Sequence, residues 1–164
     1  MIEERIKKIK QIIGDGNLII VSKNRSIEEI LNAYKLGHRD FGENKVQELL
    51  KKYEKLPKDI RWHMIGHLQK NKVKYIIPFI HLIHSVDSIE LLEKINSISE
   101  KKQSLTKCLI QIKIAKEESK FGLSVSDFNS IKNEINQYSN IKIKGLMGMA
   151  TATTNKKLIT QEFN

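Results

Sequence analysis

The sequence predicts an α/β fold built on a parallel sheet. Short apolar, β-branched segments alternate along the chain with amphipathic segments of helical period, and six such strand-helix units can be counted. No Gly/Ser-rich linker or shift in composition divides them, so residues 1–164 are predicted to form a single domain. Alternating strands and helices indicate a parallel sheet with helical crossovers, either an open doubly wound sheet or a barrel.

The first unit shows the pattern most clearly. Residues 18–21 form a continuous apolar run, typical of a strand that is covered on both faces. Ser26 and Glu29 have the spacing of a capping box, which predicts that a helix begins there, and Gly37 is expected to end it. The apolar residues of this helix recur at helical spacing: Ile27, Ile30, Leu31 and Tyr34.

The remaining units follow in the same order. Further strands are predicted over 38–42, 61–65, 82–86, 105–114 and 141–147. Helices are predicted over about 45–55 and 69–78, from a start at 87–90, and along an apolar stripe from Val125 to Ile135 that Ser124 could cap. A threonine-rich turn at 151–154 leads into the first turns of a last helix.

Composition narrows the range of functions. The net charge is +10, from 29 Lys and Arg against 19 Asp and Glu, but only four of the basic residues are arginine, the side chain that suits bidentate recognition of bases and phosphates. We therefore expect no nucleic-acid binding. No apolar run reaches the roughly 18 residues of a membrane span, and the N-terminus mixes both charges, so we expect a cytoplasmic protein without membrane contact.

Cys108 is the only cysteine. It cannot form a disulfide within the chain or a CxxC metal or redox site, so we expect a buried structural thiol.

Two residues follow predicted strands at the edge where α/β proteins place their sites. Lys23 comes directly after the first strand, where an amine in a water-poor mouth could form a Schiff base with an aldehyde, although spacing alone favours an ordinary solvated lysine. Asn44 follows the second strand and could either hydrogen-bond a ligand hydroxyl or cap the next helix; the two readings are evenly balanced.

His63 and His67 lie four residues apart around the end of the third strand. Gly66 interrupts the segment and no third ligand is in register, so no metal site is predicted. We expect His63 to be a hydrogen-bonded core residue, and His67 to face the mouth or cap the following helix.

Two further groups have ordinary interpretations. His84, Ser85 and Asp87 lack a third partner for a nucleophilic triad, and Asp87 is expected to cap a helix. Lys120 follows the fifth strand and could be a second amine near the mouth, but a solvated loop lysine is the favoured reading.

Taken together, the motifs in order resemble one known family, the YggS/PROSC pyridoxal-phosphate homeostasis proteins, over essentially the whole chain. The matching segments are 21–23 (VSK), 41–48 (FGENKVQE), 62–72 (WHMIGHLQKNK), 83–87 (IHSVD), 119–122 (SKFG) and 145–149 (GLMGM). The resemblance implies an alanine-racemase-like TIM barrel that carries pyridoxal 5'-phosphate (PLP) as an internal aldimine on Lys23. It also implies that Asn44 lines the cofactor, with Met147 as a further cofactor-binding residue.

The implied role is to hold PLP and hand it over without substrate turnover, with PLP-dependent apo-enzymes as possible recipients. The alternative is a fold-type III amino-acid racemase, which would need a second acid/base group opposite Lys23. The sequence offers no convincing candidate for that group. It leaves the oligomeric state open.

The sequence departs from the family pattern at its C-terminal end. The segments that build the last two barrel strands and the phosphate-binding loops of the family are not present, so we expect an incomplete barrel with about six of eight β/α units. Exposed edges on the first and sixth strands are expected, together with weaker retention of PLP than in a complete member.

Overall fold

The computed structural model describes residues 2–115, 117 and 121–164. The strands are β1 (Ile20–Val21), β2 (Asp40–Glu43), β3 (Arg61–Met64), β4 (Ile80–Val86), β5 (Thr106–Ile112) and β6 (Ile141–Gly148). The α-helices are α1 (Ile2–Ile13), α2 (Ile27–Lys35), α3 (Val46–Lys55), α4 (Val73–Ile76), α5 (Ile89–Lys101), α6 (Val125–Ile131) and α7 (Lys156–Phe163).

All six strands form one parallel sheet in the order β1-β2-β3-β4-β5-β6. Connections between parallel strands are right-handed, so a sheet whose order follows the chain carries every crossover helix on the same face. A doubly wound sheet reverses its order at a switch point, and this sheet does not. The topology is therefore that of an incomplete TIM-type α/β barrel, which decides between the two architectures that the sequence left open.

Helix starts follow the predicted capping signals in two of the crossovers, and a neighbouring residue caps the helix in a third. Ser26 caps α2 in a complete capping box with Glu29, as predicted, and Ser124 caps α6 through the backbone N–H of Asp127. At α5 the prediction was wrong by one residue. The N-cap is Ser88, which accepts from the N–H of Leu91, so Asp87 does not cap the helix.

The segment after β3 is less helical than predicted. Instead of one helix over 69–78 it forms a 3-10 turn (Lys70–Lys72) followed by the single-turn helix α4. Neither start has a side-chain cap, and Pro78, which lacks a backbone N–H, follows closely. Few backbone hydrogen bonds are therefore available to extend the helix.

The core lies between the sheet and the helices. Phe41 and Trp62 on neighbouring strands are fully buried there and pack against each other at a ring distance of 6.2 Å. Cys108 in β5 is also fully buried, and burial raises the pKa of its thiol to about 12, which confirms the expected structural thiol.

Side chains on the opposite face, here called the inner face, alternate with these core residues. Asp40, Gly42 and His63 occupy inner positions on β2 and β3. The first and last strands are the edges of the described sheet, and Val21 and Leu146 there are 48% and 56% exposed, as expected. None of the helices in the described ranges has the length and apolar character to cross a bilayer.

Candidate functional site

The carboxyl ends of β1 to β4 lie side by side, because these strands are parallel and adjacent. Lys23, Asn44, Gly66 and Asp87 follow these four strand ends in turn. The structure therefore brings the residues of four separate motifs to one rim of the sheet.

Lys23 lies in a tight turn directly after β1. Ser22 still pairs with β2 through its N–H to the Gly42 carbonyl (2.9 Å), and its side chain points to the helix-covered face, where its hydroxyl donates to Glu43 (2.5 Å). Strand alternation then places Lys23 on the inner face. Asn24 adopts a left-handed conformation (φ 59°), which turns the chain towards α2.

The backbone on both sides of Lys23 is fixed by a buried ion-pair network. Lys52 of α3 donates through Nζ to the Ser22 carbonyl (2.7 Å), to Glu43 (2.8 Å) and to Glu48 (2.6 Å). Glu48 in turn accepts from the backbone N–H of Asn24 (2.7 Å). The peptide groups before and after Lys23 are thus held by two charged side chains of α3, Lys52 and Glu48.

The two carboxylates of this network differ in environment. Burial raises the pKa of Glu43, whose side chain is fully enclosed, against the opposing hydrogen bonds from Lys52 and Ser22. The hydrogen bond from Lys52 lowers the pKa of Glu48, which is a quarter exposed. The network therefore combines one strongly desolvated carboxylate with one that stays ionised more easily. Sequence reasoning missed it, although the Lys52 and Glu48 positions are four apart on one helix.

Asn44 is packed tightly against the next loop. A Cβ added at Gly66 would lie 2.5 Å from the Asn44 carbonyl oxygen and 2.7 Å from its Cα, so this approach requires glycine. The N-cap of α3 is Lys45, which makes no side-chain cap hydrogen bond. Asn44 is therefore not a helix cap, and it lines a cavity of about 220 Å³ together with His67, Gln69 and Lys72.

His67 faces this rim, which agrees with the first of its two predicted roles, a position at the mouth. Its Nδ1 lies 2.6 Å from Asp87 Oδ2, and its ring stacks on Phe121 at 4.1 Å. Asp87 thus orients a histidine instead of capping α5. His67 does not cap the following 3-10 turn, whose N-cap is Gln69.

Met147 lies on β6, opposite Gln111 of β5 and one residue before the last pair between these two strands. Gln111 donates from its side chain to the Phe121 carbonyl (2.8 Å), which links this part of the sheet to the ring that stacks on His67. Lys120, the second amine considered from the sequence, lies outside the described residues.

His63 is buried and hydrogen-bonded, as predicted. Its Nε2 lies 3.1 Å from Asp40 Oδ1 and its Nδ1 lies 2.9 Å from His84 Nε2. These partners come from the starts and middles of neighbouring strands, and sequence spacing gave no sign of them. His63 and His67 therefore contact different partners, and their spacing of four residues does not indicate a shared site.

Comparison with known proteins identifies the relatives of this chain. The family model described as "Alanine racemase, N-terminal domain" matches residues 1–164. A pyridoxal phosphate homeostasis protein of Aquifex aeolicus is 38% identical over 149 residues, which cover 88% of this chain and 65% of that protein. The human protein of the same name is 40% identical over 140 residues, covering 79% of this chain and 51% of that protein.

Solved structures agree with the sequence relatives. PipY of Synechococcus elongatus without PLP superposes with a TM-score of 0.93 at 32% identity, covering 99% of this chain and 77% of PipY. PipY with PLP bound gives a TM-score of 0.87 at 31% identity, covering 99% and 76%. The alanine racemase of Clostridium difficile, at 17% identity and a TM-score of 0.77 over 97% of this chain and 43% of the racemase, shares the fold.

The chain spans between about half and two thirds of the length of these two curated relatives. The family model matches the full length of this chain, and several relatives are more than 30% identical to it. The chain therefore belongs to the alanine racemase N-terminal domain family, within its YggS/PROSC group.

Proposed function

We propose that this chain binds PLP through Lys23 and serves PLP homeostasis, holding the cofactor and releasing it to other proteins. The observation that carries the proposal is the turn at Lys23. It stands at the carboxyl end of β1, and both flanking peptide groups are fixed by the network around Lys52. Relatives named pyridoxal phosphate homeostasis proteins, and a PipY structure with PLP bound, support the cofactor assignment.

Bound PLP supplies an aldehyde that reacts with a primary amine. Lys23 Nζ is the primary amine at this rim that would hold the aldehyde carbon of the cofactor covalently. The fixed backbone at Ser22 and Asn24 limits the side chain to one region of the rim and thereby reduces the entropy lost on bond formation. Such an attachment would be reversible by water, which would allow the cofactor to leave again.

Asn44 and Met147 are the further residues that we assign to the cofactor. Asn44 offers an amide with both donor and acceptor atoms at the rim. Met147 offers an apolar thioether on the inner face of β6, suited to contact with an aromatic ring. We propose that residues 1–164 act as one PLP-binding domain, on which these three side chains converge.

The proposed role has no substrate turnover. A racemase needs an acid/base group on each side of the substrate carbon, and the closest arrangement at this rim is the hydrogen-bonded pair of His67 and Asp87. The racemases among the structural neighbours share only the fold at 14–18% identity, so they provide no argument for this activity. PLP-dependent apo-enzymes are the proposed recipients.

A PLP titration tests the proposal. Addition of PLP to the purified chain is expected to produce a saturable absorbance band of the C=N bond, and Lys23→Ala is expected to lose at least about 90% of its amplitude because the reacting amine is gone. Lys35→Ala, which removes an exposed lysine in the last turn of α2, is the matched control and should bind like the wild type.

The result against the proposal is an equal band in the wild type and in Lys23→Ala. Racemisation of alanine or serine above the Lys23→Ala background would contradict the part of the proposal that excludes turnover.

A further inference from the structure

A cavity of about 520 Å³ opens on the inner face of the sheet, away from the rim that carries Lys23. It lies towards the amino ends of the strands, since Asp40 and Arg61 are the first residues of β2 and β3, and Lys107 is the second residue of β5. Lys144 of β6 lines it from the other side of β5. None of the residues assigned to PLP lines this cavity.

The positive charges of the cavity outnumber the negative ones. Among the described residues that line it are Arg61, Lys107 and Lys144, against Asp40 as the one carboxylate. Arg61 donates to both oxygens of Asp40, and His63 contacts one of them, so this carboxylate is already paired. Lys107 and Lys144 therefore leave a surplus of two positive charges in the cavity.

The position of Lys144 depends on an irregularity in β6. Cys108 of β5 pairs with Ile143, but the next residue of β5, Leu109, pairs with Gly145. Lys144 is thus the extra residue of a β-bulge, a feature that re-aims a side chain while the strands on both sides stay paired. The bulge brings the Lys144 side chain to the same cavity as Lys107 on the neighbouring strand.

Three side chains of the lining have N–H groups available for a ligand. Within the described ranges, Lys107, Lys144 and the imidazole of His81 form neither a hydrogen bond nor an ion pair. An imidazole carries at least one N–H in either protonation state, so His81 offers a donor whatever its charge. Ammonium groups that share one cavity repel each other, and an anion bound between them turns this repulsion into attraction.

Apolar side chains line the rest of the cavity: Ile19, Leu82 and Leu109. Leu109 alternates along β5 with the buried core residues Cys108 and Ile110, which places it on the inner face. The volume falls within the range of about 300–1,000 Å³ that is typical of sites for small organic molecules. The cavity therefore suits a ligand with an apolar part as well as an anionic group.

We propose that this cavity binds a small organic phosphate monoester, with the phosphate between Lys107 and Lys144 and the organic part on the apolar side chains of the lining. A phosphate monoester carries close to two negative charges at neutral pH, which match the two unpaired ammonium groups. Lysine binds phosphate as a point charge, so no bidentate arginine is required. The N–H of His81 adds a hydrogen bond to a phosphate oxygen.

Footprinting by acetylation tests the location of this site, with phenyl phosphate as the probe. The wild-type chain is treated with a limiting amount of an amine-acetylating reagent, with and without saturating phenyl phosphate, and peptide mass mapping gives the rate at each lysine. Lys107 and Lys144 are exposed, and we expect both to react at least about threefold more slowly when the probe is bound. Lys51, an exposed lysine of α3 outside the cavity, is the internal control and should react at an unchanged rate.

Titration calorimetry measures the contribution of each charge. Lys107→Gln and Lys144→Gln are each expected to weaken the binding of phenyl phosphate about tenfold, and Lys51→Gln, the matched control, should stay within about twofold of the wild type. Inorganic phosphate, which lacks the apolar part, should bind more weakly than phenyl phosphate. Circular dichroism checks that each variant is folded.

The proposal is overturned if phenyl phosphate protects Lys107 and Lys144 no more than Lys51, or if both glutamine variants bind it as tightly as the wild type. Equal affinity for inorganic phosphate and phenyl phosphate would contradict the assignment of the apolar side chains. Lys23→Ala should show the same protection as the wild type, so failure of this proposal and failure of PLP binding are separate outcomes.

Discussion

Lys52 illustrates how one buried charge can fix a functional turn. Its side chain is 6% exposed, and its ammonium group contacts the fully enclosed side chain of Glu43, so both groups have lost most of their water. Such a pair adds little net stability compared with an apolar pair, but loss of one partner leaves the other charge buried and uncompensated. The network therefore ties the stability of β2 and α3 to the geometry at Lys23.

Substitution of Lys52 tests this coupling. Lys52→Met is expected to lower the free energy of unfolding by about 3–5 kcal/mol, because Glu43 remains buried without its cation. Urea denaturation measures the change. Glu48→Gln, at the more exposed carboxylate, should lose only about 1 kcal/mol.

The double variant Lys52→Met/Glu43→Gln is expected to regain part of the loss, since it removes both charges together. A double variant as unstable as Lys52→Met would show that the charge of Glu43 is not the cause. In these variants the amplitude of the PLP absorbance band should fall by a larger fraction than the amount of folded protein does. The reason is that the backbone turn at Lys23 is no longer held in place.

Individual residues also mark the limit of sequence reasoning. Lys23 and Asn44 were identified because each follows a strand directly, which the local sequence shows. The partners of His63 depend on how β2, β3 and β4 align, and the alignment shifts by one residue between Trp62 and His63. A spacing argument cannot supply that register, so the sequence suggested a comparison with His67 and did not indicate the contacts with Asp40 and His84.

At the scale of elements, β5 lies deep in the sheet. Its neighbours are β4 and β6, and Cys108 pairs with Ile83 on one side and Ile143 on the other. The thiol has no exposed surface. A reagent can therefore reach Cys108 only when these three strands separate.

The thiol provides a direct probe of that opening. At pH 8 Cys108 is expected to react with a disulfide reagent at least about 1,000-fold more slowly in the native chain than in urea, because burial raises its pKa to about 12 and excludes the reagent. Since the folded pKa lies above the ordinary value of 9.0, the contribution of Cys108 to stability is complete below pH 9 and is lost as the pH rises towards 12. Absorbance of the released thiolate measures the rate, and rapid reaction in the native chain would contradict the packing of β5.

The elements themselves were largely predictable. All six strands occur where apolar periodicity placed them, with ends within two residues of the prediction. The helices of the crossovers occur as well, but α6 ends at Ile131, four residues before the predicted end at Ile135, and a 3-10 turn follows over Ile135–Gln137. The exceptions have local causes. The segment 69–78 lacks a cap and meets Pro78, and two adjacent residues, Asp87 and Ser88, compete as caps for α5. The cap depends on which side chain is engaged elsewhere, and His67 engages Asp87.

At the scale of the whole molecule, the proposed cofactor site depends on the curvature of the sheet. Lys23 follows β1 and Met147 belongs to β6, at opposite edges of the strand order. In a flat sheet five strand spacings of about 4.8 Å would separate them by about 24 Å, too far for one small ligand. Barrel-type curvature brings both edges towards a common axis, so the fold is a condition for the site.

The most direct test of this account is to locate the bound aldehyde on the chain. The chain is mixed with one equivalent of PLP, the C=N bond is reduced with borohydride, and peptide mass mapping identifies the labelled lysine. We expect the label mainly on Lys23 and its loss in Lys23→Ala without transfer to another site. Label spread evenly over the exposed lysines, or the same amount of label in Lys23→Ala, would contradict the claim that Lys23 is the cofactor-binding residue.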